Sequence, residues 1–244
     1  MTRRTSLLMV AALLMTAAAT PAQSDPDALY RDRAQLARAR EALDIWETRL
    51  KADPRDFESS WKIARGAYWV GKHEDRDAGR RTLERGVAAG KQAATLQPQR
   101  PEGHFWGAAN MGALAESYGL RQGLRYRGQI KEALERALEI DPAFLDGSAD
   151  RALGRWYHMV PGLFGGSETK SEAYLRKSLT YNPNSILSRF FLAETLFARD
   201  KDAEALDELR TVIAATTDRE FEPEDREIQA KAAEELARRA KDKR

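Results

Sequence analysis

The 244-residue chain has no cysteine and only three histidines. Without cysteine it cannot form disulfide bonds, thiolate zinc sites, iron-sulfur clusters or a cysteine nucleophile. The histidines, His73, His104 and His158, lie far apart in the sequence, and none has the spacing of a helical metal-binding motif. We therefore expect no metal site and no cofactor, and a fold that is held together by hydrophobic packing.

Sequence motifs of catalysis and nucleotide binding are also absent. There is no phosphate-binding glycine loop, no dinucleotide fingerprint and no Gly-x-Ser-x-Gly nucleophile elbow. The many carboxylates have basic neighbours at helical spacing, which is typical of solvated helix faces. The sequence predicts no catalytic residue and no enzyme activity. The alternative, an enzyme site in a groove, requires a buried carboxylate or histidine with a strongly shifted pKa.

Long hydrophobic runs are confined to the N-terminus. Arg3 and Arg4 precede an apolar run at residues 7–19, and Thr20 and Ala22 occupy the small-residue positions of a signal-peptidase site. We expect residues 1–22 to be a secretory signal peptide that is cleaved, with an uncleaved anchor as the alternative. Residues 23–244 are then a single α-helical repeat domain, and the expected location is the periplasm.

Neither sign of charge is in excess. The chain has 40 Lys and Arg against 38 Asp and Glu, and removing Arg3 and Arg4 with the signal leaves 38 of each. A neutral chain argues against a nucleic-acid partner. No later apolar run is long enough to cross a bilayer, so we expect no membrane span in the mature chain.

Prolines recur at a regular spacing. Pro54, Pro98, Pro142 and Pro183 are separated by 44, 44 and 41 residues, and periods of this size indicate stacked repeats. The residues before each proline form the stripe of an amphipathic helix. Before Pro98 this stripe consists of small residues, which predicts a helix crossing at close range; its members are Gly86, Ala89, Gly90, Ala93 and Ala94.

A second helix follows each proline. The side chain seven residues after the proline is mostly large, the one ten residues after it is small, and the one fourteen residues after it is mostly large. After Pro54 these residues are Trp61, Ala64 and Tyr68. Trp61, Phe105 and Trp156 occupy repeat positions and are expected in the core. The pattern resembles the tetratricopeptide repeat (TPR). The resemblance implies an all-α, tetratricopeptide-like helical-hairpin solenoid of about four units. Residues 224–241, charged with a thin apolar stripe, predict a polar C-terminal capping helix.

A narrower resemblance rests on four segments. They are IKEALERALEIDP at residues 130–142, RALGRW at 151–156, PGLFGG at 161–166 and FLAE at 191–194. Together they resemble the T component of TRAP-type transporters. This resemblance implies a non-enzymatic periplasmic protein that binds a solute-binding protein or a small hydrophobic ligand. A general scaffold for envelope assembly is the alternative, and homo-oligomerisation is left open.

Two regions are longer than the usual repeat allows. We predict oversized loops at Tyr118 to Tyr126 and Val160 to Ser167, which stacking would bring together at one edge. Apolar residues in such loops either fold back under the loop or form an exposed apolar patch. For Leu163 and Phe164 we expect them to fold back on the helix ends, since flanking glycines permit it.

The densest positive cluster overlaps the first loop and consists of Arg121, Arg125, Arg127 and Lys131. It is either a clamp for a carboxylate or acidic partner surface, or a surface loop balanced by Glu116, Glu132 and Glu135.

Aromatic residues on the first helices suggest a binding surface. Trp69, Trp106 and Tyr157 stand one residue beyond the repeat positions, about 100° further round the helix. We expect them to face a ligand, with Asn110 and Arg155 as polar neighbours. The predicted ligand- or partner-binding residues are Trp69, Trp106, Asn110, Tyr118, Arg121, Arg155, Tyr157 and Phe164.

Overall fold

The structure, a computed structural model, describes residues 24–242, with the side chains of residues 120–122 and 242 excepted. The predicted signal peptide therefore lies outside the described residues. Residues 24–242 form helices and no strand. The helices are α1 (Pro26–Arg31), α2 (Leu36–Ala52), α3 (Phe57–His73), α4 (Arg76–Leu96), α5 (Pro101–Ser117), α6 (Leu120–Ile140), α7 (Ser148–Met159), α8 (Glu168–Tyr181), α9 (Ile186–Phe197), α10 (Asp202–Ala214) and α11 (Glu222–Asp242).

Four helical hairpins follow one another, as the proline spacing predicts. They are α3 with α4, α5 with α6, α7 with α8, and α9 with α10, and a spaced proline lies just before each pair. Side-chain caps fix several helix starts, because they satisfy backbone N–H groups that have no partner within the helix. Asp56 accepts from the backbone N–H of Ser59 at 2.9 Å, and Asp75 accepts from that of Ala78 at 3.0 Å. The all-α hairpin solenoid is confirmed.

The small-residue stripe of α4 packs against α5 at backbone distance. A Cβ atom built on Gly90 would lie 2.5 Å from the Cα of Gly107, and one on Gly103 would lie 2.4 Å from the backbone nitrogen of Ala94. Only glycine permits this approach, so the predicted close crossing is confirmed.

The first predicted loop is mostly helix. Only Tyr118 and Gly119 separate α5 from α6, and Gly119 has a φ of 86°, which favours glycine. Gly123 and Gly128, which resemble loop residues in sequence, lie within α6. The prediction of a loop at Tyr118 to Tyr126 is therefore wrong, because the extra length of this unit lies in a helix of 21 residues.

The second predicted loop is present but does not fold back. Residues 160–167 join α7 to α8 and contain a single 3-10 turn, Gly162–Phe164. Leu163 is 89% exposed and Phe164 is 38% exposed. The expected tucking is wrong for Leu163, because the loop turns its apolar tip outward.

Hydrophobic clusters run along the stack of hairpins. One joins α1 to α4 around Trp46, a second joins α4 to α7 around Leu114 and Leu153, and two smaller ones join α8 to α11 around Leu192 and Val212. Trp61 is an exception to the repeat pattern. It is partly exposed, and its indole N–H donates to Glu58 at 3.0 Å, so its predicted place in the core is wrong.

The last helix does more than cap the final hairpin. Ile228 and Ala232 pack on α9 and α10, as expected of a cap. Its N-terminal half reaches the first unit, where Arg33, between α1 and α2, pairs with Glu224, and His73 pairs with Glu227. Helix α11 therefore connects the two ends of the solenoid.

A groove between the first helices and α11

A groove of about 1290 Å³ lies between the first helices of the hairpins and α11. Helices α3, α5, α7 and α9 form one wall, and α11 forms the other. The lining is rich in aromatic side chains, which include Tyr68, Trp106, Trp156, Phe191 and Phe197. A concave, mostly apolar site with a few charged groups is the usual form of a ligand pocket.

The groove is lined by repeat positions, two of which lie one residue before a predicted binding residue. All four residues found fourteen positions after a spaced proline line the groove: Tyr68, Gly112, Trp156 and Phe197. Tyr157, the residue after Trp156, points toward the core, whereas Trp69, the residue after Tyr68, is buried but still borders the groove. Trp69 is 4% exposed, and Tyr157 is 6% exposed.

Two of the three predicted aromatic residues still border the groove. Trp106 is partly exposed and lines it, packed edge-on against Phe105. Trp69 also borders the groove, but its indole N–H donates to the backbone carbonyl of Arg33 at 2.7 Å. Tyr157 is not among the described lining residues and stacks on Tyr174, with ring centroids 5.4 Å apart.

Asn110 is a buried link between helices. Its side-chain amide donates to the backbone carbonyl of Ala64 in α3 and to that of Trp106 in α5, both at 2.8 Å. It is fully buried, and a Cβ on Gly86 would overlap its oxygen at 2.2 Å. Asn110 therefore joins α3 and α5 and does not face the groove.

Three further predicted site residues lie apart from one another. The hydroxyl of Tyr118 donates to the backbone carbonyl of Arg76 at 2.8 Å, which holds it at the start of α4. Arg121 lies in the first turn of α6. Phe164 lines the groove at its edge, 5.4 Å from the guanidinium of Arg127.

Arg155 lines the groove with its charge already paired. It donates to Glu116 of α5 at 3.1 Å and to Glu194 of α9 at 2.7 Å, and its guanidinium lies 4.7 Å from the ring centre of Phe191. Burial raises the pKa of Glu194, and Arg155 opposes that shift. Arg155 thus joins three successive first helices across the groove wall.

Arg151 is the groove residue that the sequence analysis missed. It is partly buried on α7, one residue before the repeat alanine Ala152. Among the described residues its guanidinium has no hydrogen-bond or ion-pair partner; Asp146 and Asp225 attract it only from longer range. Burial lowers its pKa below the ordinary arginine value. The sequence signal that could have indicated Arg151 as a groove residue is its position next to the small Ala152 on the first helix of a hairpin.

The carboxylates with raised pKa values near the groove already have partners. Within residues 24–242, no group of three or more histidines or carboxylates is arranged to hold a metal ion. Burial raises the pKa of Asp150 and of Asp225, but the first pairs with Lys177 and the second accepts from the backbone N–H of Asp218. In the same described part, no helix is both long and apolar enough to span a bilayer.

These features define the class: the chain is a TPR-like helical repeat protein. The family model of the regulator of microtubule dynamics protein 1-3 matches residues 24–163, more than half of the chain. The chain belongs to this family.

Solved structures with the same fold have low sequence identity to the chain. TTC0263, a thermophilic TPR protein in Thermus thermophilus, is 22% identical with a TM-score of 0.64, over 87% of this chain and 100% of its own. A structure of MamA is 16% identical with a TM-score of 0.50, over 80% of this chain and 94% of its own. MamA from Desulfovibrio magneticus is 17% identical with a TM-score of 0.50, over 78% of this chain and 94% of its own. No curated protein matches the chain.

Proposed function

We propose that this protein is a non-enzymatic binding protein whose groove holds a small amphiphile with an apolar chain and a carboxylate. The unpaired Arg151 in an aromatic groove is the observation that carries the proposal. A partly buried guanidinium without a partner has lost part of its hydration, and a ligand carboxylate would compensate for that loss with charge-assisted hydrogen bonds. The aromatic lining would take the apolar chain.

The acidic residues near Arg151 restrict the charge that a ligand headgroup can carry. Asp146 and Asp225 line the same groove as Arg151. They would repel a second negative charge, so a headgroup with a single charge fits better than a multiply charged one.

The test compares a dansyl-labelled undecanoate with its methyl ester, because only the acid carries the charge. We expect the wild-type protein to bind the acid about 10 to 100 times more tightly, as one hydrogen bond to a charged group contributes about 1.5–3 kcal/mol. Arg151→Met should reduce the affinity for the acid to that for the ester and leave the ester unchanged. The control is Lys231→Met, since Lys231 also lines the groove but is exposed.

The experiment tests the role of Arg151 and the role of the groove separately. If the wild-type protein binds acid and ester equally, Arg151 is not an anchor. If it binds neither, the groove is not the site of such a ligand.

A second candidate is a periplasmic accessory of a TRAP-type transporter that binds its solute-binding protein. The signal-like residues 1–22 and the PGLFGG loop at residues 161–166 support it. A pull-down from crosslinked periplasmic extract would test it. Enrichment of a solute-binding protein is the expected result, whereas assorted envelope proteins would favour a general envelope scaffold.

A further inference from the structure

Exposed apolar side chains are concentrated at one end of the groove. Five large apolar residues are exposed in the described part of the chain, and four of them are Leu124, Met159, Leu163 and Phe164. Three of these four, all but Leu163, line the groove. We call these four residues the groove mouth.

The groove mouth is one continuous surface. Leu124 lies one helical turn before Arg127 on α6, and the guanidinium of Arg127 lies 5.4 Å from the ring centre of Phe164. The backbone carbonyl of Arg127 accepts from the indole N–H of Trp156 at 3.0 Å, one turn before Met159 on α7. Two helices and the loop after α7 therefore meet there.

The charges around the groove mouth are of one sign. Residues 118–131 contain four basic residues and no acid, and residues 159–167 contain no charge. Among the described residues, neither Arg125 nor Arg127 has a carboxylate within ion-pair distance; Arg125 lies over the ring of Tyr126. Glu168, which follows the loop, pairs with His158 at 2.8 Å.

We propose that the groove mouth docks on an anionic membrane surface, with Leu163 and Phe164 among the acyl chains and Arg125 and Arg127 against the lipid phosphates. An exposed apolar tip beside a basic surface is the composition of peripheral membrane-binding segments. A membrane is favoured over an acidic protein because Leu163, 89% exposed on an uncharged loop, has no charge to offer such a partner. This proposal does not depend on which ligand the groove holds.

The absence of cysteine allows a local test in the full chain. Leu163→Cys carries a single nitrobenzoxadiazole label. The matched control is Ile213→Cys, because Ile213 is, among the described residues, the exposed large apolar residue outside the groove mouth, 38% exposed like Phe164. With vesicles that contain phosphatidylglycerol, we expect a blue shift and a several-fold rise in emission at position 163 and none at position 213. Vesicles of phosphatidylcholine alone should give a much weaker response.

The charge contribution is tested in the labelled chain. The double change Arg125→Gln, Arg127→Gln should weaken vesicle binding by about 10-fold and reduce its salt dependence, since each basic residue near the surface contributes. No response at position 163, or an equal response at position 213, would overturn the proposal. A response to soluble polyglutamate without a response to vesicles would assign the surface to an acidic protein instead.

Discussion

Arg33 forms a two-point ion pair with Glu224, which lies 191 residues further along the chain. The Nε atom of Arg33 donates to Glu224 at 2.8 Å, and a terminal nitrogen donates to its second oxygen and to the backbone carbonyl of Glu220. The Arg33 side chain is almost fully buried, with its guanidinium 5.1 Å from the ring centre of Tyr30. This pair closes the solenoid, because it fixes the start of α11 to the segment between α1 and α2.

Loss of this pair should destabilise the protein strongly. Glu224→Gln keeps the shape of the side chain but leaves the buried Arg33 charge uncompensated, and we expect a loss of about 3 kcal/mol in unfolding free energy. Urea denaturation at neutral pH measures it. The control is Glu222→Gln, close by on α11 in an exposed pair with Arg226, which should cost less than about 0.5 kcal/mol. Equal losses in the two variants would contradict the closing role of Arg33.

A second contact at the same junction depends on pH. The two ring nitrogens of His73 face the carbonyl of Trp69 at 2.7 Å and the carboxylate of Glu227 at 2.6 Å, which are both acceptors. The ring must therefore carry two protons to make both bonds. The hydrogen bond to Glu227 raises the pKa of His73, although burial and Lys72 oppose the shift. Burial alone would raise the pKa of Glu227, but His73, Lys72 and Lys231 outweigh burial and lower it.

The stabilisation from His73 should be lost as pH rises. A raised folded-state pKa means that it is fully present below the unfolded value of about 6.5 and disappears as pH passes the higher folded value. Glu227→Gln should therefore differ most from the wild type near pH 6, with a difference that shrinks toward pH 9. Urea midpoints across this range measure it. A difference that stays constant would show that His73 is not charged in the folded protein.

The hairpins could be predicted from sequence because their causes are local. Proline ends a helix, and a stripe of small residues permits close packing, so Pro98 and the Gly90 stripe were sufficient signals. Glycine is a weaker signal. Gly119 makes the turn before α6, whereas Gly123 and Gly128 continue the helix. The presence of a glycine alone does not distinguish a turn from a helix.

The groove could not be predicted in the same way. Which face of α7 borders it depends on the angle between successive hairpins, and an error of one residue exchanges Trp156 with Tyr157. The second wall, α11, is brought there by Arg33 and Glu224, which are distant in sequence. The unpaired state of Arg151 is visible only when every neighbouring side chain is known.

The glycine contact between α4 and α5 should be intolerant of a single methyl group. Gly90→Ala places its Cβ 2.5 Å from the Cα of Gly107, so the helices must separate, and we expect a loss of about 1–3 kcal/mol. Gly128→Ala is the control, because it lies inside α6 with no atom within 4 Å of its Cβ and should stabilise by about 0.5–1 kcal/mol. Thermal and urea denaturation measure both, and a stable Gly90→Ala protein would contradict the close crossing.

The position of the groove face separates two aromatic residues that look equivalent in sequence. Trp106 lines the groove and Tyr157 is buried behind it, so their losses should differ in kind. We expect Trp106→Ala to weaken binding of the dansyl-undecanoate ester by about 5- to 10-fold, since it removes roughly 50 Å² of apolar contact at about 25 cal/mol per Å². Tyr157→Ala should lower the unfolding free energy by about 3–4 kcal/mol and leave the affinity of the folded protein within about 2-fold. Fluorescence titration under conditions where both variants are folded, combined with urea denaturation, measures both effects. The reverse result, weaker binding only in Tyr157→Ala, would contradict this assignment and place Tyr157 rather than Trp106 in the groove.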